Sequence, residues 1–175
     1  FMADRPPSRS RWILLDPGEQ TTPQRYAQCY RQCREAIHHV PGHEDDQVLV
    51  GGVAPWIAMV KYPGNDTGDW VIYLEDILKA LGPANCDGVT LHTYTHGPSP
   101  DLIHSSEKMT SFPQRYYHFL AYREFMQAIP ANMRRLPVYI TETNHLWHIR
   151  EANTGWADQN SGWVQRAYAE IEWWN

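Results

Sequence analysis

Short apolar runs alternate with amphipathic segments along the whole of this 175-residue chain. Four runs have the length and the β-branched content of buried strands, and they cover residues 12–16, 47–53, 88–96 and 137–144. A segment with helical spacing of apolar residues follows each run, and no hairpin turn joins two runs directly. This β-α-β-α-β-α-β-α order predicts an α/β fold, in which right-handed crossovers connect the strands of a parallel sheet.

Local start and stop signals bound the four predicted helices. Thr22-Pro23 supplies an N-cap followed by proline for the first helix, and the second covers residues 69–81. Residues 111–114 have the form of a capping box and predict the start of the third helix. The fourth helix covers residues 161–174. The core-facing side chains expected of the third helix are Tyr116, Phe119, Leu120 and Ile129.

The first helix is predicted to bury a face on which apolar and thiol side chains recur at helical spacing. These side chains are Tyr26, Cys29, Tyr30, Cys33, Ile37 and Val40. The spacing of Cys29 and Cys33 places both thiols on that face and suits core packing. A zinc site would need a second pair of ligands, which Cys86 alone does not supply. The three cysteines are therefore interpreted as structural, and no metal or cofactor is expected.

Composition and charge exclude several functional classes. The net charge is −5 and the basic residues form no stripe, so nucleic acid is not expected as a partner. No apolar run approaches the length of a membrane span. Residues 1–10 lack the apolar core of a signal peptide, which leaves the cytoplasm as the default location, and they are interpreted as a disordered tail or an expression remnant. Residues 11–175 contain no linker and are expected to form one domain.

Polar residues collect at the carboxyl ends of the predicted strands, where parallel α/β folds place their active sites. Because strand side chains alternate, two faces are predicted: His92, Tyr94 and His96 on the third strand, and Val138, Ile140, Glu142 and Asn144 on the fourth. Glu142 follows a run that is expected to be covered on both sides. A carboxylate there is either a nucleophile or general base, or a salt-bridged structural residue.

The other polar residues leave alternatives open. His92 and Tyr94 are either core side chains or partners of a carboxylate or a sugar hydroxyl, and His96 and His145 are expected in loops. A zinc-dependent hydrolase would instead use His92, His96, Glu142 and His145. Aromatic residues make up 13% of the chain, and such rings either fill a core or stack on the faces of sugars.

Two motifs resemble strands of the clan A glycoside hydrolases, which are (β/α)₈ retaining enzymes of cellulase and xylosidase type. Ile140-Thr141-Glu142-Thr143-Asn144 resembles their seventh strand, and Leu91-His92-Thr93-Tyr94 resembles the sixth. The resemblance implies that Glu142 is the nucleophile and that His92 and Tyr94 contact it. It further implies substrate contacts from Asn144, and sugar stacking on Trp56 and Trp147. The matching region runs from residue 22 to about residue 147.

The chain departs from that family where the acid/base glutamate is expected. The family has Asn-Glu-Pro at the end of its fourth strand, but here Asp16 stands at the Asn position and Pro17 at the Glu position. Asp16 or Glu19 would have to serve as the acid/base. Retaining hydrolysis needs two carboxyl groups roughly 5–5.5 Å apart. The sequence therefore allows two functions: a glycosidase-like hydrolase, or a non-catalytic scaffold that binds carbohydrate weakly.

The resemblance covers only strands four to seven of the barrel. A full (β/α)₈ barrel takes about 250 residues, so the chain is expected to form a parallel (βα)₄ half of a TIM barrel. A half-barrel has two strand edges without partners, and such edges invite pairing with another chain. A homodimer that closes an eight-stranded barrel is therefore expected.

Overall fold

The computed structural model describes residues 21–145 and 162–175. Its helices and strands are α1 (Pro23–His38), β1 (Val50–Val53), α2 (Trp70–Leu81), β2 (Val89–Thr95), α3 (Ala121–Ala128), β3 (Val138–His145) and α4 (Trp163–Trp174). Short 3₁₀ turns cover Pro83–Asn85, Pro100–His104 and Ala131–Met133. The strand predicted at residues 12–16 lies outside the described residues, as do the candidate site residues Asp16, Glu19 and Trp147.

The three described strands form a parallel sheet in the order β1-β2-β3. The predicted α/β class is therefore confirmed, and strands that are consecutive along the chain are neighbours in the sheet. Val50, Val89 and Leu91 are almost fully buried in a core that α2 and α3 complete. A second core, around Phe119 and Trp163, joins α3 to α4. No helix within residues 21–145 or 162–175 is long and apolar enough to cross a membrane.

α1 begins where the sequence predicts, but it buries a different set of residues from the one predicted. Thr22 caps the helix by accepting the backbone N–H of Arg25 at 3.3 Å, as predicted. The residues that α1 buries are Pro23, Ala27 and Tyr30. The Tyr30 hydroxyl donates to the backbone carbonyl of Val48, which fixes the rotation of the helix.

This rotation leaves most of the predicted core face of α1 outside the core. Cys29 and Cys33 are exposed, so the prediction that they pack in the core is wrong. Ile37 is 38% exposed and Val40 is 49% exposed. Helical spacing shows which residues share a face, but it does not show whether another element covers that face.

The third helix begins at Ala121 and not after the predicted capping box at residues 111–114. The segment before the helix is held by tertiary bonds instead. Arg115 donates from Nε to Oδ2 of Asp69 at 2.8 Å, and its Nη2 forms an ion pair with the same oxygen at 2.8 Å. Glu124 accepts the backbone N–H of Tyr116 at 3.1 Å. Because Asp69 and Glu124 are buried, these charge-assisted bonds outweigh a local cap worth about 1 kcal/mol. Phe119, Leu120 and Ile129 are buried as predicted, while Tyr116 is half-buried.

Candidate active site at the carboxyl edge of the sheet

A β-bulge in β3 sets the direction of Glu142. Leu91 of β2 pairs with Ile140, but the next residue of β2, His92, pairs with Glu142, so Thr141 is an extra residue in β3. Before the bulge, Val138 and Ile140 pair with the buried residues Val89 and Leu91 of β2. After the bulge, Glu142 pairs with His92, whose side chain lies on the opposite face of β2. The prediction that residues 138, 140, 142 and 144 share one face is therefore wrong. A bulge interrupts the two-residue period of a strand and can re-aim a side chain.

The carboxylate of Glu142 meets two side chains of β2. Nδ1 of His92 lies 3.6 Å from Oε2 of Glu142. Tyr94 is the second: burial, and after it the influence of the nearby Glu142 carboxylate, raise the pKa of Tyr94 well above its usual range. The hydroxyl of Tyr94 therefore keeps its proton at neutral pH and can donate to an acceptor at this site.

Glu142 is accessible, contrary to the expectation that its strand is covered on both sides. Its side chain is 60% exposed, whereas the His92 side chain is 21% exposed and Tyr94 is 7% exposed. The difference arises because β3 is an edge strand within the described sheet. The site therefore combines two largely buried side chains with a carboxylate that a molecule in solution can reach.

Gly52 of β1 forms the floor beneath the His92 ring. A Cβ at this position would lie 2.4 Å from Cδ2 and 2.5 Å from Nε2 of His92. Any side chain at residue 52 would therefore displace the His92 ring from its present position. Sequence reasoning did not identify Gly52, although a glycine inside a strand pattern is a known sign of close approach by another group.

Trp56 and two residues of the long segment after β2 form an aromatic wall beside Tyr94. We use this term for the rings of Trp56, His96 and Tyr117. The Trp56 ring lies 4.4 Å from the His96 ring and 5.8 Å from the Tyr94 ring. The His96 ring stacks on Tyr117 at 3.8 Å with an angle of 9° between the planes. The wall brings the predicted sugar-stacking residue Trp56 next to a neighbour of Glu142.

The backbone of Trp56 lies in the left-handed region, with a φ of 65°. Bulky residues rarely adopt this conformation, which is retained only where surrounding contacts impose it. Here the indole Nε1 donates to the backbone carbonyl of Tyr116 at 2.9 Å, which fixes the side chain. The strained backbone and the fixed indole together present one ring orientation to the site.

A buried histidine anchors the aromatic wall from behind. The backbone N–H of His96 donates to Nδ1 of His118 at 3.1 Å, so that nitrogen carries no proton. The proton of the neutral ring is therefore on Nε2, which lies 3.2 Å from Oε2 of Glu107 and donates to it. The sequence offered no signal for His118 or Glu107, because their partners are distant along the chain.

Asn144 and His145 follow Glu142 at the end of β3 and pair with Tyr94 and Thr95. Oδ1 of Asn144 is buried and has no hydrogen-bond partner among the described residues. The His145 ring packs 6.5 Å from Trp163 of α4, on the side away from the aromatic wall that contains His96. In the part of the chain that the structure describes, no three His, Cys, Asp or Glu side chains could hold a metal ion together. The zinc-hydrolase alternative has no support there.

The structure thus brings together five of the predicted site residues: Trp56, His92, Tyr94, Glu142 and Asn144. The predicted second carboxyl groups, from Asp16 and Glu19, lie outside the described residues, as does Trp147. Comparison with known proteins adds no relative, since no family model, no curated protein and no solved structure matches this chain. Function must therefore be inferred from the chemistry of this site.

Proposed function

We propose that the sheet belongs to one half of a (βα)₈ barrel of the glycoside-hydrolase type, in which Glu142 is the nucleophile. The observation that carries this proposal is the geometry around one carboxylate. Glu142 emerges at the carboxyl edge of a parallel sheet, 60% exposed, with Nδ1 of His92 at 3.6 Å and with Tyr94, whose pKa its carboxylate helps to raise, beside it. Active sites of parallel barrels lie at this edge.

The two neighbours give the carboxylate a defined orientation. The imidazole of His92 and the ring of Tyr94 lie on one side of the Glu142 carboxylate, and the 60% exposed side chain leaves the carboxylate open to solvent. In a retaining mechanism an oxygen of this carboxylate attacks the anomeric carbon, and a glycosyl ester forms as the bond to the leaving group breaks. Tyr94 stays protonated because its pKa is raised, so this donor persists across the neutral range.

The aromatic wall supplies a surface for the sugar ring. Carbohydrate rings carry apolar C–H faces, and a fixed indole offers a flat surface for them. The Trp56 side chain is held by its bond to Tyr116 and is only partly buried, so it needs no rearrangement to receive a ring.

The proposed mechanism lacks the usual glutamate that protonates the leaving group. Asp16 and Pro17 occupy the positions of Asn and Glu in the family's acid/base motif, which leaves Asp16 or Glu19 as the acid. We therefore propose that turnover depends strongly on the leaving group. Substrates that expel a stable anion need no proton, whereas ordinary glycosides do.

Hydrolysis of aryl glycosides tests this proposal. We expect the protein to hydrolyse at least one 2,4-dinitrophenyl glycoside in a panel of common pyranosides, and to hydrolyse the matching 4-methoxyphenyl glycoside at least about 100-fold more slowly. The dinitrophenolate leaves without protonation, so the ratio reports the missing acid. A folded protein that hydrolyses no member of the dinitrophenyl panel would overturn the proposal.

The replacement of the acid/base motif also favours a second function, weak carbohydrate binding without turnover. In this case Trp56 would still stack on sugar, and tryptophan fluorescence would show saturable binding of an oligosaccharide. If the protein binds the oligosaccharide but releases no dinitrophenolate at the same protein concentration, binding without turnover is its function.

A further inference from the structure

Most of the exposed large apolar side chains lie at the two ends of the sheet; Ile57 and Met59, in the segment after β1, are also exposed. At the β1 end, α1 and the turn that follows it carry four exposed residues at helical spacing, which we call the α1 stripe: Cys29, Cys33, Ile37 and Val40. At the other end lies the β3–α4 patch, formed by Tyr139, Val164 and Tyr168, which are 44%, 57% and 76% exposed. Between these ends, α2 and α3 bury their large apolar residues; Leu74, Ile77 and Phe125, for example, are fully buried.

Two residues of the β3–α4 patch, Tyr139 and Tyr168, line an open cavity. A space of about 750 Å³ lies between β3, α3 and α4 and is open to solvent. Its lining is mainly apolar and includes Tyr139 and Ile140 of β3, Met126 of α3, and Tyr168 and Ile171 of α4. Monomeric proteins rarely leave contiguous apolar surface of this kind, which typically marks an interface.

Both outer strands also have a free edge among the described residues. β1 and β3 each pair with β2 and with no other described strand. The backbone N–H and C=O groups along the far side of β3 are a template for a further strand. Val138–His145 contains no proline or lysine, the residues that often block such pairing.

The two ends are complementary in charge. α1 contains three arginines (Arg25, Arg31, Arg34) and one glutamate, and Arg34 is paired with Asp87, which leaves a net charge of +1. β3 and α4 together contain three glutamates (Glu142, Glu170, Glu172) and one arginine, and Glu170 is buried and paired with Arg123, which leaves −1. Opposite charge favours contact between unlike ends and opposes contact between like ends.

We infer that a second copy of this chain covers these surfaces, with the β3–α4 patch of each copy docked on the α1 end of the other. A two-fold axis parallel to the strands places both copies in this arrangement at once. It forms two identical contacts, covers all four exposed ends and keeps every strand parallel. Two such contacts fit the 2,000 Å² or more, in order of magnitude, that obligate dimers bury. In this arrangement the sheets of the two copies together can close into a barrel, as the proposed half-barrel requires. The inference does not depend on the role of Glu142.

Two charge variants test this arrangement. Ile37→Glu places a negative charge on the end that should meet the negative β3–α4 patch, and Tyr168→Lys places a positive charge on the end that should meet α1. We expect the wild-type protein to sediment as a dimer at about 10 µM and each variant to associate at least about 10-fold more weakly. Lys79→Glu, on the exposed side of α2, is the control and should remain dimeric. Circular dichroism checks that all three variants are folded.

Mixing the two variants gives the decisive result. A mixed dimer contains one contact in which the introduced glutamate faces the introduced lysine, and one wild-type contact. Equal amounts of the two variants should therefore recover the dimer, and recovery requires unlike ends to meet. A wild-type monomer at about 10 µM would overturn the inference. So would loss of association in only one variant, which indicates like ends in contact, or a mixture that stays monomeric.

The exposed thiols of the α1 stripe provide an independent readout. Cys29 and Cys33 are exposed in the single copy and would be covered in the dimer. Their rate of alkylation should fall at least about 10-fold between dilute and concentrated wild-type protein and should stay constant for Tyr168→Lys. Equal rates at both concentrations would contradict docking on this stripe.

Discussion

The Glu142→Gln variant is expected to hydrolyse 2,4-dinitrophenyl glycosides at least about 10³-fold more slowly than the wild-type protein, a loss of about 4 kcal/mol of transition-state stabilisation. An amide cannot form the glycosyl ester that a retaining mechanism requires. The amide has the same shape as the carboxylate, so the packing beside His92 and Tyr94 should be unchanged. The side chain is also 60% exposed, so the substitution should leave folding intact.

Chemical rescue separates a nucleophile from a structural residue. In Glu142→Ala the exposed position leaves space for a small anion, and added azide should restore at least part of the lost dinitrophenolate release. The product should be a glycosyl azide of inverted configuration, because azide displaces the leaving group directly in one step. The wild-type mechanism uses two displacements at the anomeric carbon and therefore retains configuration. Retention of more than a tenth of the activity in Glu142→Gln would contradict the role of Glu142 as nucleophile.

The Asp69→Ala variant is expected to lose about 3–5 kcal/mol of unfolding free energy. Asp69 is 1% exposed, and its Oδ2 accepts a hydrogen bond of 2.8 Å from Nε of Arg115 and lies 2.8 Å from Nη2 of the same guanidinium. Its Oδ1 caps α2 by accepting the backbone N–H of Val71 at 2.9 Å. The substitution therefore removes a helix cap and leaves a largely buried guanidinium without its partner. Urea denaturation followed by circular dichroism measures the loss.

Asp66 provides the control for Asp69. It lies three residues earlier on the same turn and is exposed, so Asp66→Ala should change the unfolding free energy by less than about 0.5 kcal/mol. A loss of under about 1 kcal/mol in Asp69→Ala would show that the bonds to Arg115 do not hold the segment after β2 in place.

The fold was predictable from sequence where one short-range pattern decided the structure. Residues 69–81 contain an N-cap and a buried face in one continuous signal, and the structure confirms this helix. The helix start predicted from the capping box at residues 111–114 was wrong, because Arg115 and Glu124 form their bonds with residues outside that turn. The prediction of which face of α1 is buried was wrong for a related reason. The apolar stripe of α1 was identified correctly, but nothing in the local sequence shows that Tyr30 turns it away from the core.

The candidate site was predictable in its residue types but not in its geometry. Polar side chains at strand ends pointed to His92, Tyr94 and Glu142, and the structure brings these three together. The contact depends on the extra residue Thr141, which turns Glu142 towards His92. A sequence does not show where one strand gains a residue over its neighbour, because that depends on the pairing between strands.

Covalent trapping tests the central claim most directly. A 2-deoxy-2-fluoroglycosyl fluoride, with the sugar chosen from the dinitrophenyl panel, expels fluoride as the Glu142 carboxylate attacks the anomeric carbon. The fluorine at C2 slows hydrolysis of the resulting ester, so the intermediate accumulates. We expect one added fluoroglycosyl group in the intact mass, mapped by peptide sequencing to Glu142 and absent in Glu142→Gln. An adduct on another carboxylate, or no adduct with any sugar that the protein hydrolyses, would contradict the assignment of Glu142 as nucleophile.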